Sequence, residues 1–188
     1  MTRKLPSSKL LNRLLRYDSD TGKLYWRERP AWLFKLCKYG SSRGKADSWN
    51  KRFCGQETFR RISDDGYHLG LVFNKAYKAH RVIFCMMTGD WPEHEVDHIN
   101  GNRTDNRWAN LRSVTKADNR KNSKLQANNK SGHPGVYHDK RNGRWIAFIQ
   151  VNCRRQHIGS FPNKTDAIKA RKGAEHRHNF HPNHGRAS

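Results

Sequence analysis

The chain of 188 residues is strongly basic, with 38 Lys and Arg against 16 Asp and Glu, a formal charge of +22. Only 34% of it is hydrophobic although 11% is aromatic, which excludes one large core and also simple disorder. Such a charge calls for a polyanion, nucleic acid first. No apolar run approaches the roughly 20 residues that span a bilayer, so neither a membrane nor a small-molecule partner is expected.

The N-terminal MTRKLPSSKL has no apolar stretch of signal-peptide length after it. Cys37, Cys54, Cys85 and Cys153 are scattered without a CxxC pair, which fits neither a zinc ribbon nor a disulfide framework. A reduced, cytoplasmic protein without structural zinc is the expectation, with a monomer as the default.

Leu10, Leu11, Leu14 and Leu15 recur at helical spacing and predict a short amphipathic helix. The polar turn DSDTG follows, then a strand over Leu24, Tyr25 and Trp26. Asp18 and Asp20 give this turn a faint likeness to a calcium loop, but the third early ligand is missing and Arg29 holds position twelve. A plain turn is the better reading. Residues 35–58 lack periodicity and are expected to form a loop. Tyr67, Leu69, Leu71 and Phe73 alternate as a strand, with a turn expected at Asn74-Lys75. His80 to Met87 then reads as a helix closed by Thr88-Gly89.

Residues 96–111, VDHINGNRTDNRWANL, pose a question of chemistry. Asparagine suits turns, because its amide competes for backbone hydrogen bonds. Asn100, Gly101, Asn102 and Asn106 are therefore expected as turn formers and Asp105 as a loop brace, while His80 is assigned to helix packing. Two strands followed by a helix would gather Asp97, His98 and Asn119. A neutral His is a natural base for water near pH 7, and Asp and Asn are hard oxygen ligands for Mg²⁺. Neighbouring side chains on a regular strand face opposite ways, so Asp97 and His98 need a strand end, which the Asn100-Gly101 turn supplies.

The segment HRVIFCMMTGDWPEHEVDHINGNRTDNRWANLRSVTKADNRKN, about residues 79–123, resembles HNH endonucleases of the phage and intron-homing type. The resemblance implies His98 as general base, Asn110 as the catalytic-site brace, and Asp97 and Asn119 as ligands of Mg²⁺, with Mn²⁺ as the alternative. It implies hydrolysis of phosphodiester bonds in double-stranded DNA, in a bacterial host cytoplasm where the gene is phage-borne.

After the apolar-poor NSKLQANNKSG comes a second unit. Val136 to His138, RWIAFIQVN and RRQHIGSF read as three strands, and a helix follows with Ala167, Ala170 and Ala174 on one stripe and Thr165 as its N-cap. The strand face away from that stripe carries Arg144, Gln150, Arg155 and His157, which could read base edges in a major groove. This unit resembles the AP2 domain of plant ethylene-response factors through Gly135-Val136, Trp145, Ile158-Gly159-x-Phe161 and the Ala-rich helix. The resemblance points to Tyr137, Arg144, Gln150, Arg155 and His157 as DNA contacts. Tyr137, Phe148 and His157 depart from the plant pattern, so no base preference carries over.

The tail gathers His176, His178, His181 and His184 at no familiar metal spacing and reads as flexible. The expected whole is a multi-module α+β protein. Residues 1–75 form an N-terminal module, 76–123 a ββα-metal HNH unit, 124–132 a linker, 133–182 an AP2-like unit with a three-stranded antiparallel sheet plus helix, and 183–188 a tail. The alternative function is a non-catalytic DNA-binding regulator on the same scaffold.

Overall fold

A computed structural model describes residues 5–34, 41–152 and 154–186. Cys37 and Cys153 fall outside them, as does the start of the loop expected at 35–58. The chain divides into two compact units, Met1–Ser113 and Val114–Ser188.

The first unit opens with α1 (Ser8–Leu14), capped by Ser7, whose hydroxyl accepts from Leu10 N at 3.3 Å. Strands β1 (Leu15–Asp18) and β2 (Lys23–Trp26) form an antiparallel hairpin around the DSDTG turn, and β3 (Glu57–Thr58) extends it. The Asp18 carboxylate accepts from the backbone of Asp20 and Thr21, so the turn closes on its own acid.

Within the stretch expected as loop lies a helix, α2 (Ser42–Phe53). Its sequence, SRGKADSWNKRF, is polar, but Ala46, Trp49 and Phe53 fall on one side and pack the helix down. Trp49 meets Trp26 edge-on at 5.6 Å and Phe53 at 5.2 Å. Tertiary aromatic contacts, absent from any local pattern, decide its structure.

A second sheet has the order β4 (Arg61–Ile62), β5 (His68–Val72), β6 (Lys75–Lys78). The β5–β6 turn falls on Phe73-Asn74, one residue earlier than expected, because the Val72↔Lys75 pair closes the ladder. Helix α3 (Ala79–Thr88) follows, stopped by left-handed Gly89 as expected. One core joins Leu11, Leu14 and Leu15 with Leu24, Val72, Val82, Ile83, Val96 and Leu111. Residues on both sides of position 75 thus share a single apolar interior, which seats β7 (Glu95–His98) and its partner β8 (Leu111–Val114).

The second unit contains α4 (Lys116–Arg120), capped by Thr115, and an antiparallel sheet of β9 (Val136–Asp139), β10 (Arg144–Val151) and β11 (Arg154–Phe161), with β10 central. Helix α5 (Lys164–Arg177) packs on it through Ala167 and Ala174. Its cap is Asn163 rather than Thr165, since the Asn163 side chain accepts from Asp166 N at 2.9 Å. The β10–β11 register shifts between Ala147 and Phe148. The extra residue on β11 turns both Ile158 and Gly159 toward the helix while His157 and Arg155 keep the outer face.

The tail is held in place. His181 N donates to Lys121 O, Gly185 N to Ser123 O, and Leu125 N to Arg186 O at 2.9 Å. Arg186 Nη1 donates to both the backbone and side-chain oxygens of Asn122, at 2.6 and 3.0 Å. Composition suggested flexibility because Phe180 is the one large apolar residue of the tail, yet hydrogen bonds to the chain after α4 fix it. No described helix is long and apolar enough to cross a membrane.

Candidate active site

Strand β7 ends at His98, and its burial alternates, with Val96 and His98 inward and Asp97 half-buried. The Asp97 carboxylate accepts from Arg112 on β8, Nε at 3.1 Å and Nη2 at 2.9 Å. The loop that follows is built by side-chain amides, each of which both donates and accepts. Asn110, buried, accepts from Asn100 N at 2.9 Å through Oδ1. Its Nδ2 donates to Asn100 Oδ1 at 3.0 Å and to Asp105 O at 2.8 Å. Its backbone oxygen accepts from Ile99 N. Asn110 therefore ties the two ends of the loop together, and a carboxylate there could make only half of these bonds. It is a positioning residue.

Asn100 and Asn102 close the tight turns through their own backbone neighbours. The Asp105 carboxylate is gripped by Arg107, which, with hydrogen bonds from the Arg107 backbone and Asn100, holds it down to about 2 despite partial burial.

His98 is only 3% exposed and its Nε2 lies 3.1 Å from Asn106 Oδ1. The Asn106 Nδ2 donates to Thr104 O, which turns its oxygen to the ring. Nε2 therefore carries the hydrogen, and in the neutral ring Nδ1 carries the lone pair. Burial pushes the His98 pKa down, against the opposing pull of Asn106, Asp97 and Asp105, so the base is neutral at pH 7.

Asn106 is the residue that sequence reasoning undervalued. Its local signature is that of a turn former, and only the fold brings it to His98, eight residues earlier.

The N-terminal hairpin presses on the same loop. Tyr17 Oη donates to Asn106 O at 2.8 Å, and burial pushes this hydroxyl up to about 12, so it remains a donor. Trp108 N donates to Ser19 O at 3.3 Å. Gly22 adopts φ +73°, and a Cβ there would lie 2.6 Å from both Arg107 N and Asn106 C. The turn considered for calcium is thus a buttress of the His98 loop.

His80, on α3, packs its ring 5.1 Å from that of His98 and 4.7 Å from Tyr67. Its Nδ1 is buried with no hydrogen-bond partner among the described residues, and burial, with His98 and Lys78 beside it, pushes its pKa down to about 3. The unfolded chain takes up a proton near the ordinary 6.5 that the folded one refuses. His80 therefore lowers stability as the pH falls from about 6.5 toward 3, by up to about 1.4 kcal/mol per pH unit. Urea unfolding across this range should show a correspondingly flatter pH dependence in His80→Gln than in wild type.

Asn119 lies on α4 in the second unit, with its backbone N bonded to Thr115 O and its backbone O accepting from Asn122 N at 3.0 Å. Among the described residues no three His, Cys, Asp or Glu side chains gather as a metal cage. One carboxylate, Asp97, with amide oxygens fits a hard cation that keeps several waters and takes phosphate oxygens, as Mg²⁺ does.

On the second unit, the register sets Tyr137 opposite Ile146, Phe148 opposite His157, and Gln150 opposite Arg155. These side chains share the face away from α5. Arg155 Cζ lies 3.7 Å from the Phe148 ring centroid and 5.7 Å from that of Tyr137. Arg144 donates to Ser160 Oγ and O, both at 3.0 Å.

The model of the HNH endonuclease family matches residues 77–121, which run from β6 through α3, β7, the His98 loop and β8 to α4. That match makes the segment similar to HNH nucleases and supports an enzyme that acts on DNA. It stops short of the three-stranded sheet and α5. Comparison with curated proteins and with solved structures gave no match.

Proposed function

We propose that this chain is a metal-dependent endonuclease that hydrolyses phosphodiester bonds in double-stranded DNA, of the phage homing type. The observation that carries the reading is the His98 ring, buried, neutral and oriented through Nε2 on Asn106. His98 Nδ1 takes a proton from water as its oxygen attacks phosphorus. The bond to the 3′ oxygen breaks, the departing alkoxide takes a proton from solvent, and 5′-phosphate and 3′-hydroxyl ends remain. Asn110 keeps the loop closed while this happens. Asp97, with Asn119 assigned by its place in the sequence pattern, would hold Mg²⁺ or Mn²⁺, which supplies charge stabilisation at the phosphate and the departing oxygen. Tyr137, Arg144, Gln150, Arg155 and His157 form the duplex-binding face of an AP2-like sheet.

Supercoiled plasmid tests this. With Mg²⁺ or Mn²⁺ present it should be nicked or linearised, and excess EDTA should stop the reaction. Cutting that persists in EDTA would remove the metal from the mechanism. DNA retention without any cutting would favour the regulator.

A further inference from the structure

The first unit contains an arginine enclosed beyond what its own fold requires. Asn50 grips the Arg29 backbone from both sides, its Oδ1 accepting from Arg29 N at 2.8 Å and its Nδ2 donating to Arg29 O at 3.0 Å. The guanidinium lies 3.9 Å over Trp49 and 4.5 Å over Trp26, with the Phe73 ring at 6.0 Å. Its Nε is buried without a hydrogen-bond partner, and among the described residues no carboxylate forms an ion pair with it. A rigid, planar, partly desolvated cation with no carboxylate partner suits a phosphate oxygen, to which its N–H groups would donate.

Phe73 is the second observation. It takes φ +50° and Asn74 +61°, the two left-handed positions of a hairpin turn that favour Asn and Gly. A phenylalanine is strained there, and burial does not compensate, because Phe73 is 50% exposed. Leu71, two residues back on the same hairpin, is 59% exposed, and exposed Lys75 follows the turn. A strained, exposed ring beside a caged guanidinium makes an apolar wedge flanked by positive charge. Wedges of this kind part stacked base pairs while basic side chains hold the backbone.

We propose that Arg29 and Phe73 form a DNA-distorting contact, Arg29 on a phosphate and Phe73 between adjacent base pairs of the duplex. This rests on the reading of DNA as the substrate and adds a distortion step to it.

The test uses the full chain in EDTA, so that binding is measured without cutting, on a mixed-sequence duplex carrying 2-aminopurine at several positions. Phe73→Asn should melt at or above the wild-type temperature, since Asn tolerates the left-handed backbone, yet bind about tenfold more weakly. Wild type at saturation should raise 2-aminopurine fluorescence, Phe73→Asn should not, and Phe73→Tyr should keep both affinity and signal. Arg29→Gln, which removes the charge, should bind more weakly with a shallower salt dependence, and an unchanged salt dependence would overturn the Arg29–phosphate contact.

Wild-type affinity in Phe73→Asn, or a silent 2-aminopurine signal in the wild-type complex, overturns the wedge even where plasmid cutting proceeds. A melting temperature well below wild type would assign Phe73 to the fold and overturn it equally. An intact wedge signal without metal-dependent cutting would instead remove the nuclease reading alone.

Discussion

Alanine in place of His98 should lower the rate of plasmid cutting by about 10²–10⁴-fold, the usual contribution of a positioned general base. The effect should fall on the chemical step. His98 is buried beneath its loop, so its removal leaves the exposed basic surface unchanged, and DNA affinity in EDTA should stay near wild type. The Asn106 amide loses its ring partner and is left buried, which costs about 1–3 kcal/mol of stability. Cutting rates are therefore compared at a temperature where melting curves show both proteins folded. A His98→Ala protein that is folded and cuts at the wild-type rate would dismiss His98 as the base.

Gly22→Ala should damage both stability and cutting, though Gly22 lies in the β1–β2 turn and not in the family-matched segment. Its φ of +73° already disfavours a side chain, and a Cβ there would lie 2.6 Å from the backbone of Asn106 and Arg107. Neither neighbour is a flexible side-chain tip that can swing away, so either the hairpin or the His98 loop must move. A destabilisation of about 2 kcal/mol or more is expected, with cutting reduced at least about tenfold because Asn106 shifts beneath the ring. Gly55→Ala is the matching control, since Gly55 has φ +78° but open space where the Cβ would stand. If both variants lose the same stability and cut equally well, the buttress has no bearing on the site.

Periodicity and turn chemistry made much of this molecule legible. The apolar spacing of α1, the alternation along β10, the Gly89 stop and the alanine stripe of α5 are local signals that the fold obeys, whereas β5 forms but turns Leu71 and Phe73 outward and buries Val72 instead. Helix α2 was hidden because Trp49 finds its partners across the fold, in Trp26 and Arg29, beyond the reach of any local window. The site divides the same way. Asp97, His98 and Asn110 are marked by residue type and spacing. Asn106 acts through a bond that appears only once its loop folds back on His98, and Tyr17 and Gly22 through contacts that need the hairpin at residues 15–26 against that loop.

The bonds between residues 121–125 and 181–186 give the second unit an unusual topology. Its entering strand of chain and its leaving one are stitched side by side, so the sheet and α5 hang from a ring closed by hydrogen bonds and not from an open string. In such a ring the order of segments is a matter of where the chain happens to be cut, and a permuted chain broken in the turn at 140–143 would preserve every one of these pairings.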